Sequence, residues 1–280
     1  MHDVVISIVN YHQPELLERC LGQLETLTLP DSWATIVVDN ESDDDAAAWI
    51  RDRYSWVRLI VAKENLGFGG GHNLAYAQSD SRLFFVLNPD VIVLPDSLET
   101  LVSTFAKYPK AAVIGPQLLN PDRTPQYSAR RFYDWRTVLA RRLPLPGHRR
   151  IHSNHLMKDC DLSKTQPVDW LLGAAMGIRR AAFGAERLFD PRYKLYFEDV
   201  DLCYFAQKVG WQVLFCPEAV MIHDHQRASA KKLFGSVGRQ HFASWLKFYW
   251  KAKTYCQDGQ GQPLRLDGPC NRPDKRPSRL

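Results

Sequence analysis

The chain has 280 residues, of which 45% are hydrophobic and 24% are charged, with 16 glycines and 17 prolines. This ordinary composition excludes a collagen-like, low-complexity or wholly disordered chain. No run of about 18 apolar residues occurs, and the first residues lack the basic start and cleavage site of a signal peptide. We therefore expect a cytoplasmic protein without a membrane-spanning helix. Six cysteines without Cys-x-x-Cys spacing favour reduced thiols over a disulfide framework or a zinc ribbon.

The formal net charge of +5 is unevenly distributed. Residues 128–150 contain seven arginines against one acid, and residues 263–280 contain five basic residues against two acidic ones. The rest of the chain is therefore mildly acidic. Two basic patches on an acidic body favour an anionic partner or surface.

The first 115 residues alternate between β-branched runs and helical patterns. The runs predict strands at residues 4–9, 35–38, 57–61, 83–87 and 111–115. Helices are predicted after Pro14 and over residues 43–53, 72–78 and 96–105. Such alternation predicts an α/β fold with a Rossmann-like, mostly parallel sheet and helices on both faces, in which ligands bind at the carboxyl ends of the strands.

Beyond residue 116 the alternation stops. Residues 168–179 predict a strand, residues 196–210 a helix, and residues 212–216 and 219–223 two more strands. A long aromatic, basic helix is predicted over residues 230–255. The segment from residue 257 onward is rich in glycine, proline and charge and predicts a flexible tail.

Polar residues follow two of the predicted strands in the first half. Asp39 and Asn40 could bind a base or a sugar, although a polar helix cap is the simpler alternative. Asp90 follows Asn88 and Pro89 at a rigid turn. A single carboxylate there could hold Mg²⁺ or Mn²⁺ together with a diphosphate, or the three residues could form only a turn.

Four glycines lie within the five residues 67–71. They would let backbone N–H groups approach a phosphate-rich ligand closely, or they could serve as spacers between a helix and the sheet. The segment does not match the dinucleotide-binding pattern G-x-G-x-x-G, because His72 and Leu74 occupy the positions that need the last glycine.

Three carboxylates, Glu198, Asp199 and Asp201, open the predicted helix at residues 196–210. The helix dipole alone favours acids in a first turn. Clustered carboxylates also raise one another's pKa, which suits a general base. His223 ends a predicted strand and could be structural, or it could share a metal ion with Asp90.

The order and spacing of these motifs resemble family 2 of the inverting nucleotide-sugar glycosyltransferases, which have the GT-A fold. Within that family the sequence is most similar to the rhamnosyltransferases that build bacterial cell-surface polysaccharides. The resemblance spans residues 4–229. It rests on residues 7–11 (SIVNY), 38–42 (VDNES), 65–69 (NLGFG), 87–90 (LNPD), 173–176 (GAAM), 189–190 (FD), 198–203 (EDVDLC) and His223.

The resemblance implies roles on the donor side. Asp39 would bind the nucleotide base, with Asn40 and Tyr11 nearby. The wall around the ribose and the donor would be formed by Asn65, Gly67 and Gly71.

The resemblance also implies a divalent metal, Mg²⁺ or Mn²⁺. Asp90 stands at the family's metal-binding Asp-x-Asp motif, and Asn88 replaces its first acid, so that a single carboxylate would anchor the ion. His223 matches the second metal-binding position.

Asp199 matches the catalytic base of the family. The acceptor side would be lined by Glu198 and by Gly173, Ala174, Ala175 and Met176. The implied reaction is a single inverting displacement, in which Asp199 deprotonates an acceptor hydroxyl as it attacks the anomeric carbon through an oxocarbenium-like transition state.

The implied domain organisation is a glycosyltransferase domain over residues 1–229, a helix over residues 230–256 and a basic tail over residues 257–280. The nucleotide-sugar half would extend to about residue 116, and the acceptor half would occupy residues 117–229.

The best donor by resemblance is dTDP-L-rhamnose, with a glycan or a polyprenyl-diphosphate-linked glycan as acceptor. UDP- and GDP-sugars remain alternatives, because His12, Pro191 and Phe205 depart from the family pattern. We expect no nucleic-acid partner. The basic, aromatic stretch at residues 130–150 and the last helix suggest peripheral contact with the anionic inner face of the membrane.

Two other classes of function stay open. A sugar-phosphate nucleotidyltransferase should carry a glycine-rich basic loop after its first strand, but residues 10–14 read NYHQP. A non-catalytic basic module that binds membrane would leave the acidic and glycine-rich strand ends unexplained.

Overall fold

The computed structural model describes residues 1–41, 46–133, 137–138, 147–185, 187–224 and 236–257. Several predicted features therefore lie outside the described residues. These are the start of the second helix, most of the arginine-rich stretch, the start of the last helix and the tail.

The first half of the chain alternates strands and helices as predicted. Its elements are β1 (His2–Asn10), α1 (Pro14–Glu25), β2 (Trp33–Asn40), α2 (Ala46–Arg53), β3 (Val57–Ala62), α3 (Gly67–Ala77), β4 (Ser81–Leu87), β5 (Val91–Val93), α4 (Ser97–Lys107) and β6 (Ala111–Leu119).

The second half contains four short strands, one long strand and three helices among the residues described. Its elements are β7 (Ala129–Arg130), α5 (His148–His155), β8 (Gln166–Pro167), β9 (Trp170–Leu171), β10 (Ala175–Arg179), a 3₁₀ turn (Arg180–Ala182), α6 (Glu198–Lys208), β11 (Gln212–His223) and α7 (Ser236–Gln257). None of the helices in the described part of the chain combines the length and the apolarity needed to cross a bilayer.

One large sheet organises the fold, in the order β3-β2-β1-β4-β10-β6-β11-β5, with β8 paired to β11. Strands β1, β2, β3, β4, β6 and β11 point in the same direction, and β10, β5 and β8 run against them. The mostly parallel α/β sheet predicted from the sequence is therefore confirmed. A separate two-stranded ribbon joins β7 to β9.

Helices cover both faces of the sheet, because successive side chains of each buried strand point to opposite faces. In β1, Val5 packs in one core with residues of α3 and α6. Its neighbours Val4 and Ile6 pack in the other core with residues of α1, α2 and α4. This double burial explains why the strands read as continuous apolar runs.

Several boundaries differ from the sequence prediction. Residues 168–179 form two strands, β9 and β10, separated by a turn at Gly173. Residues 212–223 form one strand, because β11 absorbs the predicted break as a register shift between Cys216 and Val220. Helix α3 begins at Gly67, five residues before the predicted start at His72.

The cysteines follow the sequence expectation only in part. Cys20, Cys203 and Cys216 are free thiols in the buried core. Cys160 is disulfide-bonded, which contradicts the prediction of reduced thiols throughout. It lies on a partly buried loop after α5, outside the packed sheet that encloses the three free thiols.

Gly71 is a spacer between α3 and β1. A Cβ atom added at Gly71 would lie 2.8 Å from both γ carbons of Val9, closer than packed carbon atoms approach. We expect Gly71→Ala to lower the free energy of unfolding by about 1–3 kcal/mol through overpacking. Denaturant unfolding monitored by circular dichroism measures the change.

The matched control is Gly22→Ala in α1. The nearest atom to its added Cβ would be the Tyr54 hydroxyl oxygen, 3.8 Å away. Because alanine favours a helix over glycine, this variant should be as stable as the parent or up to about 1 kcal/mol more stable. Equal destabilisation of both variants would contradict the spacer role.

Candidate active site

The predicted site residues gather at one edge of the sheet, where the parallel strands β1, β2 and β4 end. Asn10 of β1 pairs with Asp39 of β2. On the other side of β4, Ala175 of β10 pairs with Leu87, and the Asn88 N–H donates to the Ala174 carbonyl oxygen at 2.8 Å. The antiparallel strand β10 thus brings the segment at residues 173–176 beside the segment at residues 87–90.

The Asn40 carboxamide fixes the loop between β3 and α3. Its Nδ2 donates to Asn65 Oδ1 at 3.1 Å and to the Gly67 carbonyl oxygen at 3.3 Å, and its Oδ1 accepts the Leu66 N–H at 2.9 Å. Asn65 Oδ1 also accepts the Gly67 N–H at 2.8 Å. These bonds use the polar atoms of Asn40 to shape the loop, so its contribution to a donor site is positional.

Gly67 is required by the backbone of the same loop. Its φ of +73° lies in the left-handed region, and a Cβ there would lie 2.5 Å from the Lys194 carbonyl oxygen. Gly67 and the spacer Gly71 therefore set the path of the loop and the position of α3. Both glycines are closely packed against neighbouring residues.

Asp39 offers a hydrogen-bond acceptor at the end of β2, on this edge of the sheet. The residue is 3% exposed, and its Oδ1 receives no hydrogen bond from the described residues. A buried carboxylate oxygen without a donor is costly, unless a ligand supplies one. Tyr11 lies more openly, 45% exposed, with its ring 4.4 Å from that of His12.

Asp90 and His223 converge on one point. Asp90 Oδ1 and His223 Nε2 are 3.4 Å apart, and both side chains are largely buried. Strand β11 pairs antiparallel with β5, which places His223 opposite Val91, next to Asp90 in the chain. The Asp224 N–H also donates to the Asp90 carbonyl oxygen at 2.9 Å.

Gln126 sets the orientation of the His223 ring. Its Nε2 donates to the His223 carbonyl oxygen at 2.8 Å and to Asn120 Oδ1 at 2.9 Å. Gln126 Oε1, which lies 2.9 Å from His223 Nδ1, must therefore accept the proton on that nitrogen. In the neutral ring Nε2 then presents its lone pair toward Asp90 Oδ1.

This arrangement fits a divalent cation. Two electron-rich atoms that face each other repel unless a proton or a cation lies between them, and imidazole and carboxylate are both ordinary ligands of Mn²⁺. Within the described ranges, no group of three or more His, Cys, Asp or Glu residues is placed to hold a metal ion. The remaining ligands would therefore come from solvent or from a diphosphate.

Asp199 is held at the start of α6 by two backbone N–H groups. Its Oδ2 accepts the Gly173 N–H at 3.0 Å, and its Oδ1 accepts the Val200 N–H at 2.8 Å. The two residues that precede α6, Tyr196 and Phe197, have φ angles of +67° and +73°. Such values are strained for residues with a Cβ and are typical of functional sites.

The neighbouring carboxyls of Asp199 and Glu198 differ in how readily they ionise. Burial raises the pKa of both carboxyls, and that of Glu198 reaches about 8 because the Asp199 charge adds to its burial. The N–H donors from Gly173 and Val200 counteract burial only at Asp199. Glu198 Oε2 is buried and receives no hydrogen bond from the described residues. The pKa of Glu198 therefore lies above neutral pH, and the two backbone donors make Asp199 the more readily ionised carboxyl of the pair.

Asp201, the third acid of the cluster, serves another purpose. It lies two residues beyond Asp199 and so projects from the opposite side of the helix, where its Oδ2 lies 2.5 Å from Lys251 Nζ. Lys251, in α7, also donates to Asp190 at 2.7 Å, and all three side chains are nearly buried. These ion pairs hold α7 against the first turn of α6.

The site also contains features that sequence reasoning missed. Gln126 and Lys251 gave no signal, because each acts on a residue about 50 to 100 positions away. Conversely, Ala174, Ala175 and Met176 are buried within or next to β10, so that the part of this segment that contacts Asp199 is Gly173. The Asn88 side chain is only partly buried, at the same strand end as Asp90.

Comparison with known proteins identifies the family of the chain. Residues 2–245 match the sequence model of the family described as "Glycosyltransferase like family 2". The N-acetylglucosaminyl-diphospho-decaprenol L-rhamnosyltransferase of Mycobacterium tuberculosis is 28% identical over 263 residues, which cover 88% of this chain and 84% of that protein. The rhamnosyltransferase WbbL of Escherichia coli is 26% identical over 255 residues, which cover 88% and 92%.

Solved glycosyltransferases share the fold. The structure of GalNAc-T7 with UDP, GalNAc and Mn²⁺ superposes with a TM-score of 0.64 at 14% identity, over 95% of this chain and 56% of that one. The mannosyltransferase PcManGT of Pyrobaculum calidifontis, solved with GDP-Man and Mn²⁺, gives 0.59 at 15% identity over 92% and 70%. The predicted GT-A fold is thereby confirmed. The chain belongs to glycosyltransferase family 2.

Proposed function

We propose that the protein is an inverting, metal-dependent hexosyltransferase that transfers L-rhamnose from dTDP-L-rhamnose to a lipid-linked glycan during synthesis of a bacterial cell-surface polysaccharide. The observation that carries this proposal is that Asp199, anchored by two backbone N–H groups, lies at the sheet edge where Asp90 and His223 converge. The mycobacterial and E. coli relatives are named as rhamnosyltransferases, which supports rhamnose as the sugar.

Asp199 would act as the general base. It would take the proton of the acceptor hydroxyl while that oxygen forms a bond to the anomeric carbon, and the bond from this carbon to the diphosphate oxygen would break with the electron pair leaving on the nucleotide. One displacement of this kind inverts the anomeric centre. The Gly173 and Val200 N–H groups keep the carboxylate oriented, and neutral Glu198 adds no second charge beside it.

Asp90 and His223 would hold the divalent metal, Mg²⁺ or Mn²⁺, with Gln126 fixing the imidazole. A cation there would neutralise the charge that grows on the departing nucleoside diphosphate. Support comes from the 3.4 Å approach of Asp90 and His223 and from the Mn²⁺ in the solved relatives of the fold.

The donor would lie along the ends of β1, β2 and β4. The buried Asp39 Oδ1 suits the ring N–H of a pyrimidine base, with Tyr11 beside it. Asn65 would border the ribose, positioned by Asn40, and Asn88 would face the sugar phosphate next to Asp90. A UDP- or GDP-sugar is the alternative donor, as the ligands of the two solved structures suggest.

The acceptor would approach from the side of Gly173 and Glu198. The name of the mycobacterial relative describes a diphospho-decaprenol acceptor, so we infer a polyprenyl-diphosphate-linked glycan and a peripheral position on the inner face of the membrane. The division into a donor half over residues 1–116, an acceptor half over residues 117–229 and a C-terminal helix belongs to the same proposal.

Asp199→Asn tests the proposed reaction. With Mn²⁺, dTDP-L-rhamnose and a short-chain N-acetylglucosaminyl-diphosphate lipid, the wild-type protein should release dTDP and form the glycosylated product. The variant should turn over about 10²- to 10⁴-fold more slowly, because a positioned base contributes that much. Its Kd for dTDP-L-rhamnose, from calorimetry, should stay within about twofold.

Asp52→Asn, at an exposed position of α2, is the matched control and should keep full turnover. A panel of UDP- and GDP-sugars in the same assay separates the donors. Release of pyrophosphate from dTTP and a sugar 1-phosphate in a parallel assay would instead indicate a nucleotidyltransferase, and no product in either assay would indicate a binding module. Wild-type turnover by Asp199→Asn would refute the base assignment.

Gln126→Leu tests the metal assignment without using catalysis. The substitution removes the acceptor of the His223 Nδ1 proton, so the affinity for Mn²⁺ in the presence of dTDP should fall about 10- to 100-fold. Electron paramagnetic resonance of free Mn²⁺ measures the affinity. Gln212→Leu, at an exposed end of β11, should bind Mn²⁺ like the wild type. Unchanged affinity in Gln126→Leu would remove His223 from the ligand set.

Glu198→Gln tests the protonation of the acidic pair through stability. The pKa of Glu198 is raised to about 8 in the folded protein, from a reference value of 4.5. The folded state therefore binds more protons between these pH values, and the wild type loses stability as the pH rises from about 4.5 to 8. The neutral glutamine escapes this loss.

The melting temperature of Glu198→Gln minus that of the wild type should therefore become more positive from pH 5 to pH 8. Differential scanning calorimetry at both pH values measures it. A difference that does not change with pH would show that Glu198 is ionised in the folded protein.

A further inference from the structure

Helix α7 has an inner face that packs against the protein and an outer face whose apolar side chains are largely exposed among the described residues. On the inner face Phe248 is 5% exposed and packs against Phe197 and Tyr204, with ring centroids 5.7 and 5.3 Å apart. Ser244 donates to the Leu195 carbonyl oxygen at 3.0 Å, and Lys251 joins the buried ion pairs. These contacts fix the rotation of the helix about its axis.

The outer face of α7 consists of large apolar side chains at helical spacing. They recur at intervals of three and four residues and therefore form one stripe, in which Phe242, Leu246, Tyr249 and Trp250 are exposed. Trp245, at the border of the stripe, is partly buried against the core. Trp250 is 64% exposed and Tyr249 is 40% exposed. Neighbouring aromatic rings along the stripe contact one another at centroid distances of 5.5 to 6.1 Å.

The charge of α7 is entirely positive. Residues 236–257 contain Arg239, Lys247, Lys251 and Lys253 and no acidic residue. Lys253 lies within the stripe, with its Nζ 4.6 Å from the centre of the Tyr249 ring and 5.3 Å from that of Trp250. Arg239 is exposed on the same side. The partner of this face must therefore accept aromatic rings and positive charge together.

We propose that this outer face of α7 is the membrane-docking surface of the protein and that its partner is an anionic lipid bilayer. Trp and Tyr favour the boundary between headgroups and hydrocarbon, and Lys and Arg favour anionic headgroups. A basic helix with one aromatic face lies in the plane of that boundary. A second copy of this chain fits the face less well, because the helix offers no acid to pair with Lys253 or Arg239.

The position of α7 gives the docking a consequence for catalysis. Its inner residue Phe248 contacts Phe197, which directly precedes Glu198 and Asp199. Docking of the outer face would therefore hold Asp199, the proposed base, at a fixed height above the bilayer. The glycan of a lipid-linked acceptor lies at that height. This step rests on the proposed function, but the docking itself does not.

Vesicle flotation tests the docking surface without any sugar. At low salt the wild-type protein should float with vesicles of equal parts phosphatidylcholine and phosphatidylglycerol. Leu246→Gln/Trp250→Gln should bind at least about tenfold more weakly. Lys253→Glu should weaken binding to these vesicles more than binding to pure phosphatidylcholine.

Trp56→Gln/Val61→Gln is the matched control, because it changes an exposed tryptophan and an exposed aliphatic residue near β3 at the far edge of the sheet. It should bind vesicles like the wild type. Melting temperatures check that each variant folds. Turnover with the short-chain acceptor should be unchanged in Leu246→Gln/Trp250→Gln, which separates failure of docking from failure of the proposed reaction.

Three results would overturn the docking proposal. The wild type could fail to bind anionic vesicles. Leu246→Gln/Trp250→Gln could bind as tightly as the wild type, which would move the docking surface to residues 130–150. Sedimentation could show a dimer that the same variant abolishes while vesicle binding is absent, which would make a second copy the partner.

Discussion

The insertion of β10 between β4 and β6 is the constraint on which the site depends. Because β10 runs antiparallel to both neighbours, its beginning lies at the edge where the parallel strands end. The turn before it therefore reaches two places at once: Ala174 accepts the Asn88 N–H, and Gly173 donates to Asp199. A Cβ at Gly173 would lie 3.4 Å from that of Asp199, so the close approach of turn and helix favours glycine. The turn before Asp90 and the carboxylate of Asp199 are thus connected through one short segment of backbone.

Burial then gives each carboxylate of the site a different chemistry. Two backbone donors favour the ionised form of Asp199, whereas burial and the neighbouring Asp199 raise the pKa of Glu198, whose Oε2 receives no hydrogen bond from the described residues. Asp201, on the other side of the same helix, is compensated by Lys251 and becomes structural. Asp90 Oδ1, which is also buried, lies beside the imidazole of His223.

Helix α7 connects this chemistry to the outside of the molecule. Its residues Lys251 and Lys253 have different surroundings, because each residue of a helix is rotated by about 100° from the last. Lys251 points inward to a pair of aspartates, and Lys253 points outward among aromatic rings. The buried ion pair specifies how the helix is rotated, which in turn decides which aromatic side chains remain exposed. Stability at the inner face and the proposed docking at the outer face are therefore two consequences of one orientation.

The sequence by itself determined the alternation of strands and helices, the edge of the sheet that carries the site, and the family. These follow from local periodicity and from motifs in a fixed order, which do not depend on distant contacts. It placed the start of α3 and the division of β9 from β10 wrongly, since contacts with distant segments hold Gly67 and Gly173 at those boundaries. Only the tertiary structure separated Asp199 from Asp201, turned Gly71 into a spacer and assigned Gln126 to His223. In each case the deciding contact joins segments far apart in the chain, and no local pattern carries a signal for a partner about 100 residues away.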